Sequence, residues 1–196
     1  MLRLGVFGGT FDPPHLGHLA VAESARVDLR LDRVLFVPSG TPPHKRRVDL
    51  SPVADRLAMT RLAVRGNPAF TVSTLETRRT GASYTVETLR TLSVRHPGAR
   101  LFLVIGEDSL DDFPTWHEPR AILELATLAV APRPGGRRSR RSRGLGRRVI
   151  WLDAPPLEVS SSAIRVAVRA GRSVRYLVPG PVAAYLARRG LYAGAR

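Results

Sequence analysis

Leu101, Phe102, Leu103, Val104 and Ile105 form an apolar run with no polar position in it. A strand with one wet face alternates apolar with polar residues. A run that does not alternate needs cover on both faces, as a central strand of a parallel sheet has when helices pack on either side. The rest of the chain supplies what such a sheet requires. Short strand-like runs at 2–7, 33–38, 70–73, 127–131 and 149–152 are interleaved with helical spacing of apolar residues at 16–29, after Ser51-Pro52, and at 84–94, 121–125, 162–169 and 181–188. Ser51 reads as a helix N-cap with Pro52 in the first turn, and Ser83 as another N-cap. The alternation predicts an α/β chain with a doubly wound parallel sheet and right-handed crossovers, in a single domain over residues 1–196. Ligands of such sheets bind outside the carboxyl ends of the strands, so the residues after each strand are the ones to read for chemistry.

Several function classes are excluded early. There are no cysteines, which removes disulfide frameworks, thiolate nucleophiles and thiolate metal sites. The N-terminus runs directly into a strand without the features of a targeting segment, and no apolar run is long enough to span a membrane. The expectation is a cytoplasmic protein without membrane partners. The formal charge of +15 is concentrated: Arg133, Arg137, Arg138, Arg140, Arg141, Arg143, Arg147 and Arg148 lie in one tract, and setting these eight aside leaves +7. The tract at 133–148 has glycine and serine but no aromatic residue to stack on a base. It reads as a basic, flexible surface loop, not as a specific nucleic-acid site. The remaining basicity suits phosphate ligands.

The densest motif is Gly8-Gly9-Thr10-Phe11-Asp12-Pro13-Pro14-His15-Leu16-Gly17-His18. Glycines let a ligand approach the backbone, Thr10 adds a hydroxyl, and the prolines stiffen the turn. His15 and His18 are three apart at the start of the expected helix, so they share a face, and the helix end adds partial positive charge. One histidine here would read as a helix-entry cap; two make an anion site. A zinc site lacks further ligands nearby. A P-loop lacks its Gly-Lys-Ser/Thr, and no G-x-G-x-x-G is present.

This motif resembles the signature of the bacterial nucleotidylyltransferases with an H-x-G-H sequence, and within them the nicotinate-nucleotide adenylyltransferases. Later motifs fit in order: Pro42-Pro43-His44-Lys45, Ser83-Tyr84-Thr85-Val86-Glu87-Thr88-Leu89, Ile105-Gly106-Glu107-Asp108-Ser109, Phe113-Pro114-Thr115-Trp116 and Val159-Ser160-Ser161-Ser162-Ala163-Ile164-Arg165. Lys45 is the one lysine among 31 basic residues. Tyr176-Leu177-Val178-Pro179 and residues 185–192 are similar to the family's closing segment and read as packing.

The resemblance implies a Rossmann-like nucleotidyltransferase fold and adenylyl transfer from ATP, carried with Mg2+, to nicotinate mononucleotide. It implies catalytic roles for His15, His18 and Arg165. Gly8, Gly9, Thr10, Phe11, Gly106, Asp108, Ser161 and Ser162 would bind ATP. Lys45, Tyr84, Thr85 and Trp116 would meet the mononucleotide, with the indole stacking on the pyridine ring. No protein metal cage is expected. His117 stands where related sequences often carry another aromatic residue. Nicotinamide mononucleotide and phosphopantetheine adenylyltransferases of the same fold are the alternatives, with a nucleic-acid-binding protein further off. The oligomeric state, a homo-oligomer included, is left open by the sequence.

Overall fold

A computed structural model describes residues 1–41, 50–132 and 145–194. Among them, six parallel strands form one sheet in the order β3-β2-β1-β4-β5-β6. The strands are β1 (Arg3–Gly9), β2 (Arg33–Pro38), β3 (Phe70–Val72), β4 (Arg100–Gly106), β5 (Ala126–Ala131) and β6 (Val149–Trp151). The helices are α1 (Leu16–Asp28), α2 (Val53–Val64), α3 (Thr85–Arg95), α4 (Glu107–Asp112), α5 (Pro119–Leu125), α6 (Ser161–Arg169) and α7 (Gly180–Arg189). The chain order reverses between β1 and β4, which opens the crevice where doubly wound sheets bind ligands.

The run at 101–105 is central, as its lack of polar positions requires. Alternate residues serve opposite faces. Leu101, Leu103 and Ile105 join Leu4, Val6, Leu128 and Val130 under Val86, Leu89 and Leu92 of α3 and Ile122 of α5. Phe102 and Val104 join Phe7, Val34, Phe36 and Ala129 under Ala22 and Ala25 of α1. A third apolar cluster, with Met59, Ala63, Ile164, Val174, Val178, Val182 and Leu186, packs α2 against α6 and α7. This third cluster brings the end of the chain back to its beginning. Among the described residues no helix is long and apolar enough to cross a membrane.

Several boundaries differ from the sequence reading for local reasons. The glycine pair lies in β1 and not after it, because Gly8 and Gly9 pair with Val37 and Pro38 of β2. Pro52, not Ser51, stands at the N-cap of α2, and Tyr84, not Ser83, at that of α3. Ser83 instead turns its hydroxyl to the Thr41 N–H at 3.3 Å. α4 and the 3-10 turn Phe113–Thr115 follow β4 without a break, a pair of short elements that six- and three-residue windows could not announce. Residues 42–49, with Lys45, and 133–144 of the basic tract lie outside the described residues. The remainder of that tract includes a 3-10 turn, Gly146–Arg148, leading into β6.

Candidate active site

The first turn of α1 carries both histidines at the carboxyl end of β1. His15 is the N-cap of α1, and its N–H donates to His18 Nδ1 at 3.2 Å. That bond puts the proton of a neutral His18 ring on Nε2. The two imidazoles stack, with centroids 3.7 Å apart at 29°. Phe11 and Phe7 back His18, at 5.1 and 5.9 Å between centroids. Gly17 makes this possible: a Cβ there would stand 3.1 Å from His15 Nδ1. His15 is 7% exposed, its Nδ1 is enclosed without a hydrogen bond, and burial lowers its pKa from 6.5 to about 4. In the ligand-free protein it is therefore a neutral imidazole at pH 7. The anion site expected from two imidazoles and a positive helix end thus starts with His15 uncharged. The Leu16 N–H of that helix end also already donates to the Leu177 carbonyl at 3.0 Å.

The connector between the glycine pair and His15 is held from several sides. Arg56, 1% exposed, donates to the carbonyls of Thr10 at 2.9 Å, Gly40 at 3.2 Å and Ser51 at 3.2 Å. Burial lowers its pKa, and the Asp12 carboxylate pulls it back up. Arg165 Nη1 donates to the Asp12 carbonyl at 2.8 Å, and its Nη2 to Ser162 Oγ at 3.2 Å. Ser161 Oγ donates to the Pro13 carbonyl at 2.9 Å, while Ser160 caps α6 by accepting the Ala163 N–H at 3.1 Å. The sequence-predicted residues at the two ends of the chain, His15 and His18 on one side and Ser161, Ser162 and Arg165 on the other, thus meet at one loop. Phe11 is 1% exposed with φ of 49°, so its side chain belongs to the core and only its backbone faces the loop.

Beside this loop a cavity of about 120 Å³ opens at the β1/β4 crevice. Its walls run from Gly8 and Gly9, through Val37, Leu103 and Ile105, to Thr85 and Trp116. Trp116 packs on buried Phe113, centroids 5.6 Å apart, so it serves core and cavity together. Tyr84, the N-cap of α3, does not line this cavity; its ring lies 4.3 Å from that of His117. Two polar groups on the wall, Ser39 and Glu76, had no sequence signal as site residues. Ser39 Oγ is buried and unpaired. Glu76 accepts the Thr88 hydroxyl at 2.7 Å, and burial raises its pKa. Gly106 and Asp108 are exposed at the end of β4 and the start of α4, on the far side of the crevice. Arg56 did leave a trace: it occupies the buried stripe of α2 with Met59, Thr60 and Ala63, where a charge is out of place. Among the described residues no three His, Cys, Asp or Glu side chains gather to hold a metal ion.

The chain can be set beside known proteins. The cytidylyltransferase-like family model matches residues 6–167. A protein of Thermomicrobium roseum, named as a probable nicotinate-nucleotide adenylyltransferase, is 49% identical, with 98% of this chain and 92% of that protein covered. A protein of Salinibacter ruber with the same name is 47% identical over 97% of this chain and 98% of its own length. The fold matches that of Plasmodium falciparum nicotinic acid mononucleotide adenylyltransferase complexed with NaAD, with a TM-score of 0.81 at 17% identity over 98% of each chain. With a parallel sheet of this order, an H-x-G-H turn at its crevice and full-length relatives of this identity, the chain belongs to the cytidylyltransferase-like family, among the nicotinate-nucleotide adenylyltransferases.

Proposed function

We propose that this protein transfers the adenylyl group of ATP to the phosphate of nicotinate mononucleotide, releasing pyrophosphate and forming nicotinate adenine dinucleotide. The observation that carries this reading is a juxtaposition. A stacked imidazole pair on the first turn of α1 stands at the same strand ends as a cavity that runs from a glycine pair to an indole. The glycine pair offers backbone to phosphates, and the indole offers a face to a pyridine ring.

A phosphate oxygen of the mononucleotide attacks the α-phosphorus of ATP, and the bond from that phosphorus to the bridging oxygen of the β-phosphate breaks. The nucleophile is already anionic at neutral pH, so no general base is needed. Catalysis then rests on in-line positioning and on donors aimed at charge that develops on the α-phosphate and the leaving pyrophosphate. His18, with its proton on Nε2, is such a donor. His15 enters the reaction neutral, and an arriving phosphate raises its pKa. Gly8, Gly9, Thr10 and the Phe11 backbone take the α-phosphate and ribose side, with Gly106 and Asp108 on the ribose across the crevice. The Ser161 N–H, Ser162 and the remaining donors of Arg165 take the β,γ side. Thr85, Trp116 and the Tyr84 segment take the pyridine, and Lys45 takes the mononucleotide phosphate. Mg2+ would come with ATP and would offset charge on its phosphates, with no protein cage among the described residues to hold it. Residues 1–196 act as one nucleotidyltransferase domain, which we assign to the cytoplasm.

The test is turnover with ATP and, in separate reactions, nicotinate mononucleotide, nicotinamide mononucleotide and phosphopantetheine. Pyrophosphate release is expected with the first at well above the rate with the others. No release with nicotinate mononucleotide sinks the proposal.

A further inference from the structure

Asp12 is fully buried, and each of its oxygens has a partner. Oδ2 accepts the Ser51 N–H at 3.1 Å, and the carbonyl accepts Arg165. Oδ1 accepts the hydroxyl of Tyr192 at 2.5 Å, across 180 residues of sequence. Tyr192 comes from the segment after α7 and holds a left-handed backbone, φ 65°. A bulky side chain in that region costs about 1 kcal/mol or more, so something must hold it there. Burial first, and then the bond to Asp12, push the phenol well above its ordinary pKa, so it remains a donor across the working pH range.

The molecule contains a second tie of the same chemistry. Tyr185 of α7 donates to Asp55 Oδ1 at 2.7 Å, with Arg189 on the same oxygen at 3.2 Å, and Asp55 is likewise buried. That tie joins α7 to α2 and touches no part of residues 8–18. The difference between the two tyrosines that bears on the site is what the aspartate at the other end belongs to. Asp55 sits in a packing helix, whereas Asp12 is the middle of the connector that carries the histidines.

We propose that Tyr192 is a positioning residue for adenylyl transfer: by fixing the Asp12 carboxylate it sets the place of the Thr10–His18 turn around the reacting phosphates. The proposal rests on the functional reading given above. It revises the expectation that the closing segment only packs. Tyr192 touches no substrate; it acts through Asp12, whose carbonyl in turn holds Arg165.

The experiment compares Tyr192→Phe with Tyr185→Phe, each removing one hydroxyl and nothing else. Two readouts are taken: steady-state kinetics with ATP and nicotinate mononucleotide below both melting temperatures, and the imidazole NMR resonances of His15 and His18 in ligand-free protein. For Tyr192→Phe, kcat is expected to fall about tenfold or more, since small misplacements of reacting groups cost up to about 10²-fold. Both KM values should stay within about twofold, and the two imidazole signals should shift. For Tyr185→Phe the melting temperature drops while kcat and the imidazole signals hold. The proposal is overturned if Tyr192→Phe keeps kcat within about twofold of the unmodified protein, or if both variants lose kcat alike. Should the unmodified protein show no adenylyl transfer, the functional reading fails by itself. The imidazole signals then still decide the positioning role, since unshifted resonances in Tyr192→Phe overturn it.

Discussion

The two ends of the site are built in opposite ways. At the end proposed to take the phosphates, the connector from Phe11 to His15 is buried, and the carbonyls of Thr10, Pro13 and Asp12 are held by Arg56, Ser161 and Arg165. The contacts that α6 and Tyr192 make with it join residues 148, 153 and 180 positions apart. At the end proposed to take the pyridine ring, Trp116 is half-buried, and His117 and Glu118 after it are at the surface. The rings of His117 and Tyr84 meet at a tilt of 32°, and Glu118, with φ of 49°, forks with Arg90 at 2.6 Å, only 28 residues away. Arg90 also reaches Glu87 at 2.6 Å. Exposed pairs of this sort contribute little to stability. In the proposed reaction the difference follows from the work assigned to each end. Groups that meet a developing charge must already be in place, because moving them during the reaction raises the barrier. A ring pocket has only to select a shape, and it can do so with surface residues that vary without disturbing the chemistry. Long-range buried ties belong to the first task and local exposed ones to the second.

The comparison breaks most visibly if the histidine turn is not where charge is stabilised. His18→Ala is expected to lower kcat by about 10²-fold or more with the fold intact by circular dichroism. His18→Asn refines this, because an amide oxygen can still accept the His15 N–H and preserve the helix entry. If His18→Asn turns over at near the normal rate, His18 only shapes the turn and carries no charge-stabilising role.

A second way to sharpen the contrast uses acid. His15 has a folded pKa of about 4 against an ordinary 6.5. Between these values the unfolded chain binds a proton that the folded protein refuses, so stability falls as pH drops through 6.5 and the loss is complete below about 4. Above 6.5 the group contributes no pH dependence. At 1.36 kcal/mol per pH unit the loss is on the order of 3 kcal/mol. Urea unfolding at pH 7, 5 and 4 should show a steeper acid loss in the unmodified protein than in His15→Asn. Parallel curves would mean that the turn is not the tightly enclosed end.

The sheet was legible because its signals are local. The apolar run in β4 demanded double cover, and β2 at Arg33–Pro38 stands where its β-branched and aromatic residues place it. The short elements after β4 were not legible, since α4 is only six residues of mostly acidic sequence and takes its place from Leu110 in the core. In the site, the H-x-G-H turn showed itself by spacing alone, and the Gly17 requirement is visible once the stacked rings are known. The bracing was hidden for a physical reason. Asp12, Arg56 and Tyr192 find each other only when the third apolar cluster folds α6 and α7 back onto α2, and no window of sequence contains all three. Ser160, the cap of α6, was one residue away from the serines singled out for phosphate. The hydroxyl of Ser161 is bonded to the Pro13 carbonyl, an arrangement that depends on a loop 148 residues upstream.

The smallest expected effect tests the adjustable end. Trp116→Ala removes an indole that covers one side of the cavity and rests on Phe113. Ring stacking of this kind is worth about 0.5–1.5 kcal/mol, so KM for nicotinate mononucleotide should rise by up to about tenfold. The KM for ATP should stay within about twofold and kcat should change little, because the histidine turn is braced by residues that do not touch Trp116. Some loss of melting temperature is also expected, since the indole contributes to the edge of the core; it is smaller than for a fully enclosed ring because Trp116 is half-buried. Initial-rate kinetics varying each substrate separate these effects. An equal rise in both KM values, or a kcat loss comparable to that of His18→Ala, would show that disturbance at the ring pocket reaches the phosphates. The two ends would then form one coupled unit, and the division of labour between buried long-range ties and exposed local ones would no longer account for how this site is built.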